Sequence, residues 1–428
     1  MKGRLNLFQA TMLRWRDLHP YNAVHVVRID LPLDRARLQR DLDAVLAAQG
    51  LTGFTLDVAR RRYEFTGGPP HSELRVLAGG QDPAAVVRDV IEREINTPFP
   101  HDGSLEPFRF FAVDAGASFH LVLAYDHVVA GGDSIAGLLT DFVERYTGSA
   151  TAPPPDLYPP TCARLLARHA GYVLRGLPAI LRMIASARRS LRPRYPRGND
   201  PQNAFASLRI GKEGMAAMAG AASTWGVTRN DLLMALLLAA LAPLAGEARH
   251  RERRRELGVA SIVNVRRDFG ANVRGPFGQF LSSFRYSHPV PDGISLRELA
   301  RDLHAETERV KRRKLYLQTL LALAGVGMLW PWLSPSHRAG IHAKNYPVWV
   351  GITPLDVDRL WRKAGGRAPP AEYLRAVSTG PTAPLVVATT TAGGTLHLGL
   401  SYRTTAFTGE DVAKIAAGIL DGVEHLDA

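Results

Sequence analysis

With 428 residues, 46% of them hydrophobic and 22% charged, the chain has the composition of an ordinary folded protein and the length to bury a large core divided into two or three domains. Its single cysteine, Cys162, excludes an internal disulfide and a multi-cysteine metal site, and the first twenty residues lack the continuous apolar run of a secretory signal, so the cytoplasm is the expected location. The net charge of +13 is concentrated: Arg164, Arg168, Arg175, Arg182, Arg188, Arg189, Arg192, Arg194 and Arg197 lie between Asp156 and Asp200 with no acid among them. Such a stretch suits an acidic protein, an anionic lipid surface or nucleic acid. No aromatic-interleaved RNA motif, zinc module or helix-turn-helix pattern accompanies it, so nucleic acid is not expected.

In chain order, a short helix is expected near 7–15, a strand over 22–31, and a helix from Asp34 to Ala48 with Leu38, Leu42, Val45 and Leu46 on one face. A strand near 61–66 and a helix at 83–95, opened by Pro83, precede a strand pair at 107–114 and 118–125. The second of that pair runs into Asp126-His127-Val128-Val129-Ala130-Gly131-Gly132-Asp133-Ser134. This is a strand end, a glycine bend and a helix start, with Asp133 or Ser134 as N-cap and Ile135, Leu138, Leu139 and Phe142 packing inward. A histidine so placed is held rigidly and can face a cleft. The proline-rich residues 147–160 end a first unit, 1–150. A basic segment, 151–203, follows, in which Arg168, Arg175, Arg182 and Arg189 recur every seven residues and form one ridge on a helix that Pro178 should kink. That ridge is either simply solvated, a dock for an acidic carrier protein, or a headgroup-level lipid contact.

The remaining unit, 204–428, opens with a strand at 206–210 and a capped, nearly all-apolar helix after Thr228, which should be deeply buried. A strand at 257–264 ends in Asn264-Val265-Arg266, and another begins in Pro276–Arg285, which contains Gly278-Gln279. An amphipathic helix at 296–314 leads to the apolar run 315–333, expected as a buried helical hairpin; its length is near that of a membrane span, but Gln318, Gly325, Gly327 and Pro331 weaken that alternative. A strand at 346–352, a loop-rich crossover segment within 345–382, a hairpin around Gly393-Gly394 and a helix at 408–426 close the chain.

The stretch 126–134 resembles the H-H-x-x-x-D-G motif of the condensation-domain and CoA-dependent acyltransferase superfamily, as in free-standing condensation-like proteins of nonribosomal peptide synthesis and secondary metabolism. His127 falls on the second histidine and Gly132 on the glycine. Asp126 stands where the first histidine is expected, and Gly131 where the aspartate is. The opening LPLDRARLQRDLDAVLAAQ, the strand end Asn264-Val-Arg266, the Gly278-Gln279 turn and the ending LHLGLSYRTTAFTGEDVAKI are similar to the same family, so the resemblance runs along nearly the whole chain. It implies an α/β fold of two chloramphenicol-acetyltransferase-like lobes in a V shape, each a mixed, largely antiparallel sheet flanked by helices, with a channel between them.

The resemblance further implies acyl transfer from a CoA or carrier-protein thioester to an amine or hydroxyl, with His127 as general base and no cofactor or metal. Histidine suits the task because its ordinary pKa is near neutrality, and a positioned base is worth about 10²–10⁴ in rate. Gly131 and Gly132 would let the backbone approach the reacting carbonyl, with a backbone N–H there facing the oxyanion and Asp126, Asp133 and Ser134 as support. In the family the N-x-R arginine pairs with the motif aspartate. Arg266 therefore either pairs with a substitute carboxylate, Asp133 being favoured over Asp126 and Asp268, or is exposed. An acidic acyl or peptidyl carrier protein is the expected partner, docking on Arg168, Arg175, Arg182 and Arg189, with a small-molecule amine or alcohol acceptor and a monomeric state favoured. The alternatives are a non-catalytic relative that binds an acidic carrier, and a wax-ester-type O-acyltransferase at a membrane surface, for which Asn230-Asp231 offers a further likeness.

Overall fold

The computed structural model describes all residues except 1, 71, 101–102, 105, 149–161, 199, 246–253, 271–276, 292, 364–367 and 427–428. Most of the proline-rich break expected at 147–160 therefore lies outside the described residues.

The first half comprises β1 (Lys2–Arg4), α1 (Leu7–Arg16), β2 (Asn22–Ile29), α2 (Arg35–Ala48), β3 (Phe54–Asp57), β4 (Arg62–Phe65), β5 (Leu74–Ala78), α3 (Pro83–Asn96), β6 (Gly103–Ser104), β7 (Phe108–Asp114), β8 (Phe119–Asp126) and α4 (Gly132–Tyr146). Two connecting helices follow, α5 (Cys162–Arg168) and α6 (Ala170–Arg189). The second half comprises β9 (Asn203–Ile210), α7 (Lys212–Trp225), α8 (Arg229–Leu241), β10 (Glu256–Asn264), β11 (Leu281–Pro289), α9 (Leu296–Arg312), α10 (Tyr316–Leu329), α11 (Pro335–Asn345), β12 (Val350–Asp356), α12 (Val357–Lys363), β13 (Tyr373–Val377), β14 (Leu385–Ala392), β15 (Thr395–Arg403) and α13 (Gly409–Glu424).

A five-stranded sheet in the order β13-β2-β8-β7-β5 forms the first half, and a six-stranded sheet in the order β11-β10-β12-β14-β15-β9 forms the second. Both are mixed and mostly antiparallel, with β5 parallel to β7 and β12 parallel to both β10 and β14. Helices cover both faces of the first sheet, so β8 is buried on each side. Leu121, Leu123 and Tyr125 pack in the core that includes α4, while Val122 and Ala124 alternate into a second core against α3. This alternation fixes the register of β8, and with it the position of the turn that follows.

One strand ties the halves together. β13 comes from the second half of the sequence but pairs antiparallel with β2, placing Arg375 opposite His25. It crosses over β15 at Gly399, where a Cβ would stand 1.9 Å from the Arg375 carbonyl oxygen, so no side chain fits at that crossing.

Several expectations need correction. β12 starts at Val350 rather than Tyr346, because Tyr346 caps α11 and Pro347 has no N–H to give a ladder. Neither Asp133 nor Ser134 caps α4: the N-cap is Gly131, which makes no side-chain bond, and both polar side chains turn toward the second half. The run 315–333 is not a buried hairpin: Tyr316–Leu320 are buried, but Met328 and Leu329 are exposed and so is Trp332 in the turn beyond. The predicted ridge of four arginines also divides, since Arg168 ends α5 and donates to the Phe269 carbonyl at 3.2 Å, while Arg189 pairs with Glu256. A four-stranded sheet, β1-β4-β3-β6, had no sequence-level expectation beyond one of its strands.

Candidate active site

The turn between β8 and α4 is fixed from three directions. Asp126, fully buried, accepts from the Val128 N–H at 3.0 Å and forms an ion pair with Arg16 of α1 that is itself shut off from solvent. Gln9 of α1 donates to the Val128 carbonyl at 2.9 Å. From the second half, Gln279 Nε2 donates to the Ala130 carbonyl at 2.6 Å and also to the His127 carbonyl, and the Gly131 N–H donates to the Gly278 carbonyl at 3.0 Å. The Gly278-Gln279 turn thus clasps the histidine turn directly.

His127 is 7% exposed, with its ring stacked on Tyr21 and edge-on to Tyr125. Its Nδ1 lies 3.1 Å from the Ala130 carbonyl oxygen, which can only accept, and 3.3 Å from Gln279 Nε2, whose two hydrogens are already given to the His127 and Ala130 carbonyls; this assigns the proton to Nδ1 and leaves Nε2 its lone pair. Burial pulls the ring's pKa down to about 4; the Ala130 bond opposes this and the Arg375 charge adds to it. At neutral pH the residue is therefore an uncharged base with one free nitrogen.

The ring lines a cavity of about 370 Å³ whose walls come from both halves of the chain. Tyr21, His25, Tyr125, Gly132 and Asp133 line it from the first half, and Asn264, Thr353 and Arg375 from the second. The size is within the range of small-molecule sites. Gly132 heads α4, so its N–H is one of the first-turn donors with no intrahelical acceptor. The Gly131 N–H, by contrast, is occupied by the Gly278 carbonyl, which leaves Gly132 as the glycine of the pair whose N–H could meet an oxyanion.

Arg266 is 4% exposed, and its Nε lies 2.8 Å from Asp133 Oδ2. Asn264 donates to the same oxygen at 2.9 Å, Arg266 Nη2 donates to Ser134 Oγ at 2.9 Å, and the guanidinium rests 3.8 Å over the Phe280 ring. Ser134 in turn donates to the Gly278 carbonyl at 3.1 Å. A Cβ at Gly131 would stand 3.1 Å from Asp133 Oδ1, so the carboxylate of Asp133 reaches the region that a side chain at 131 would enter. Asp268 is committed elsewhere, to Lys314 and Tyr316, and Asp126 to Arg16.

Sequence reasoning missed a buried cluster beside this pair. Arg375 is 2% exposed; its Nε donates to Thr390 Oγ1 at 2.9 Å and its Nη2 to the Thr353 and Thr389 carbonyls at 2.5 and 2.8 Å. A Cβ at Gly132 would meet Arg375 Nη1 at 3.0 Å and His25 at 3.5 Å, which places both groups directly under the histidine turn. His25 Nδ1 lies 2.7 Å from the Tyr373 hydroxyl, and burial holds its pKa well below the usual value, with Arg375 and His127 adding to the effect. The only available signal was a lone arginine in the apolar strand Tyr373–Val377. Asn230-Asp231 is not in the cavity: Asp231 closes the capping box of α8 with Thr228 and lies 2.8 Å from His304 Nδ1.

No family model matches the chain, and no curated protein matches it by sequence. Solved structures do match, over all of its length. The first condensation domain of the calcium-dependent antibiotic synthetase, in complex with a substrate analogue, superposes with a TM-score of 0.69 at 18% identity over 100% of this chain and 97% of that one. The starter condensation domain of rhizomide synthetase, in complex with C8-CoA and Leu-SNAC, gives 0.68 at 16% over 100% and 95%. The cyclization-docking bidomain of a nonribosomal peptide synthetase from Sorangium cellulosum gives 0.71 at 14% over 100% and 85%. With two mixed sheets flanked by helices and neither closed into a barrel, the chain has the fold of the condensation-domain superfamily, two chloramphenicol-acetyltransferase-like lobes.

Proposed function

We propose that the protein is a condensation-type acyltransferase that moves an acyl group from a CoA or carrier-protein thioester to an amine or hydroxyl. The observation that carries this reading is the 3.1 Å approach of His127 Nδ1 to the Ala130 carbonyl, which leaves Nε2 as the free nitrogen, in a cavity walled by both halves. The acceptor N–H or O–H gives its proton to Nε2 as the heteroatom bonds to the thioester carbon. The carbonyl oxygen becomes an oxyanion, which the Gly132 N–H is placed to meet. Collapse of this intermediate breaks the carbon–sulfur bond, and the departing thiolate takes the proton back from the imidazolium. Burial makes His127 a weak base, and negative charge growing beside the ring raises its proton affinity during the step. The cavity supplies the remaining acceleration by holding thioester and acceptor in contact.

The test is mass spectrometry of the protein incubated with a panel of acyl thioesters, on CoA and on an acidic carrier, against amines and alcohols. His127→Ala is expected to lower turnover of the productive pair by about 10²–10⁴-fold. Unchanged turnover in that variant would remove the histidine from the chemistry, and no turnover by the wild type with any pair would leave a binding protein with this fold.

A further inference from the structure

Amphipathic helices normally bury their large apolar face. Helix α6 does the reverse. Its buried positions are Gly176, Ala179 and Ala187, and Gly176 is pressed so closely on α10 that a Cβ would stand 2.2 Å from Gln318 Nε2. The leucines lie outside. Leu174, Leu177, Leu181 and Ile184, spaced three or four residues apart, form one helical face, with Leu174 66% and Leu181 71% exposed. Helix α10 packs on α6, and its far end and the turn after it expose Met328 at 73% and Trp332 at 86%.

Charge and position say what covers this face. Arg175 and Arg182 follow Leu174 and Leu181 by one residue each, so they flank the apolar stripe; both are exposed, and neither has a carboxylate partner among the described residues. Exposed leucines with a flanking row of arginines and a tryptophan at the edge match the surface of an interfacial helix. No single helix among the described residues is long and apolar enough to cross a bilayer, and the one pair that passes by length and composition, α9 with α10 and its turn, is bent by 72° and packs Leu299, Leu303 and Val310 of α9 into the core, so the contact would be peripheral. The same helices also form one end of the cavity: Ile180 and Met183 of α6, Leu323 and Val326 of α10 and Ile341 of α11 line it, and Ile184 is both lining and outward-facing.

We propose that the face made by α6 and the α10–α11 turn docks on an anionic lipid bilayer, and that the crevice between these helices admits a long-chain substrate dissolved in that bilayer to His127. The docking half stands independently; the substrate half rests on the acyl-transfer reading.

Flotation with phosphatidylcholine vesicles containing about 30% phosphatidylglycerol should carry the full-length protein upward at low salt, and pure phosphatidylcholine vesicles much less. The double change Arg175→Gln, Arg182→Gln should weaken the partition coefficient roughly 25-fold, about fivefold per arginine. Leu181→Ser with Trp332→Ser should weaken it on both vesicle types while leaving turnover of a short, water-soluble thioester and acceptor unchanged and lowering turnover of a long-chain substrate presented in vesicles. Brominated phospholipids should quench the fluorescence of the wild-type protein more than that of Trp332→Phe, a readout that needs no change to the docking leucines. Failure to float with anionic vesicles, or equal flotation of wild type and variants, overturns the docking. Binding of an acidic carrier protein that depends on Arg175 and Arg182, with no vesicle binding, assigns the face to a protein and overturns it equally. If no acyl transfer is found with any substrate pair, flotation and quenching still decide the docking while the function falls separately.

Discussion

A carboxylate that reaches a buried guanidinium from two residues further along the chain can replace one attached at the expected position, because only the location of the charge matters to the pair. Asp133 does this for Arg266, which Ser134 and the Phe280 ring also hold. Asp133→Asn is therefore expected to cost about 3–5 kcal/mol in chemical denaturation, the range for a buried charge losing its partner. Introducing Gly131→Asp alone should also destabilise, since its Cβ would face Asp133 Oδ1 at 3.1 Å and Gln279 Oε1 at 3.3 Å, both acceptors. Combined, the two changes should recover at least half of the loss, because Gly131 has φ −83°, a value any residue adopts. A double variant no more stable than Asp133→Asn would show that the carboxylate cannot be moved back. The resemblance made His127 and the need for a substitute carboxylate readable. Arg375 was not readable, because the strand that carries it enters the site from the other half of the chain. Its charge helps lower the His127 pKa, so Arg375→Gln should raise that pKa from about 4 and move the acidic limb of the kcat/KM profile to higher pH. An unmoved acidic limb would show that the guanidinium is not felt at the ring.

At the scale of elements, the histidine turn is held by α1 as much as by its own strand and helix. Arg16 and Asp126 are 2% and 0% exposed at their side chains, so the pair is buried on both sides. Arg16→Met should destabilise by about 3–5 kcal/mol by stranding the carboxylate, and Arg16→Met with Asp126→Asn should recover most of this, since a neutral amide costs far less to bury. Thermal melts of the three variants measure it; equal losses in the single and double variants would mean that α1 packing, and not charge, holds the turn. Long elements with a clear period, such as α2, α3, α9 and the pair β14–β15, were legible from the sequence to within one or two residues. Strands of two to five residues, such as β1, β3, β5 and β6, were not, because so few positions show no alternation. Helix α11 was missed although Ser334 caps it and Pro335 opens it, since the apolar run before it drew the reading toward a hairpin. The inverted face of α6 could not be read at all: its periodicity says that a leucine face exists, and only packing says which way it points.

For the whole molecule, the cavity between the halves is walled by neutral imidazoles, and this sets its response to acid. His25, His127 and His342 are all buried, and burial is the first cause of each depression: well below the usual value for His25, and to about 4 for His127 and for His342, whose Nε2 accepts from Trp15 Nε1 at 2.9 Å. In the unfolded chain each would titrate near about 6.5. Between pH 6.5 and 4 the unfolded chain therefore binds protons that the folded chain refuses, and stability falls as pH falls through that window. Above about 6.5 both states hold these rings neutral, and they contribute no further slope. The melting temperature should accordingly be level with pH above neutrality, as far as these groups set it, and drop on acidification toward 4. The histidine variants separate this from carboxylate titration, which runs lower: His342→Gln, keeping an acceptor for Trp15, should flatten the decline between pH 6.5 and 4 relative to the wild type. A decline of unchanged steepness in that variant would mean that the ring at the second-half wall is already protonated in the folded state and that the cavity is wetter than its apolar lining implies.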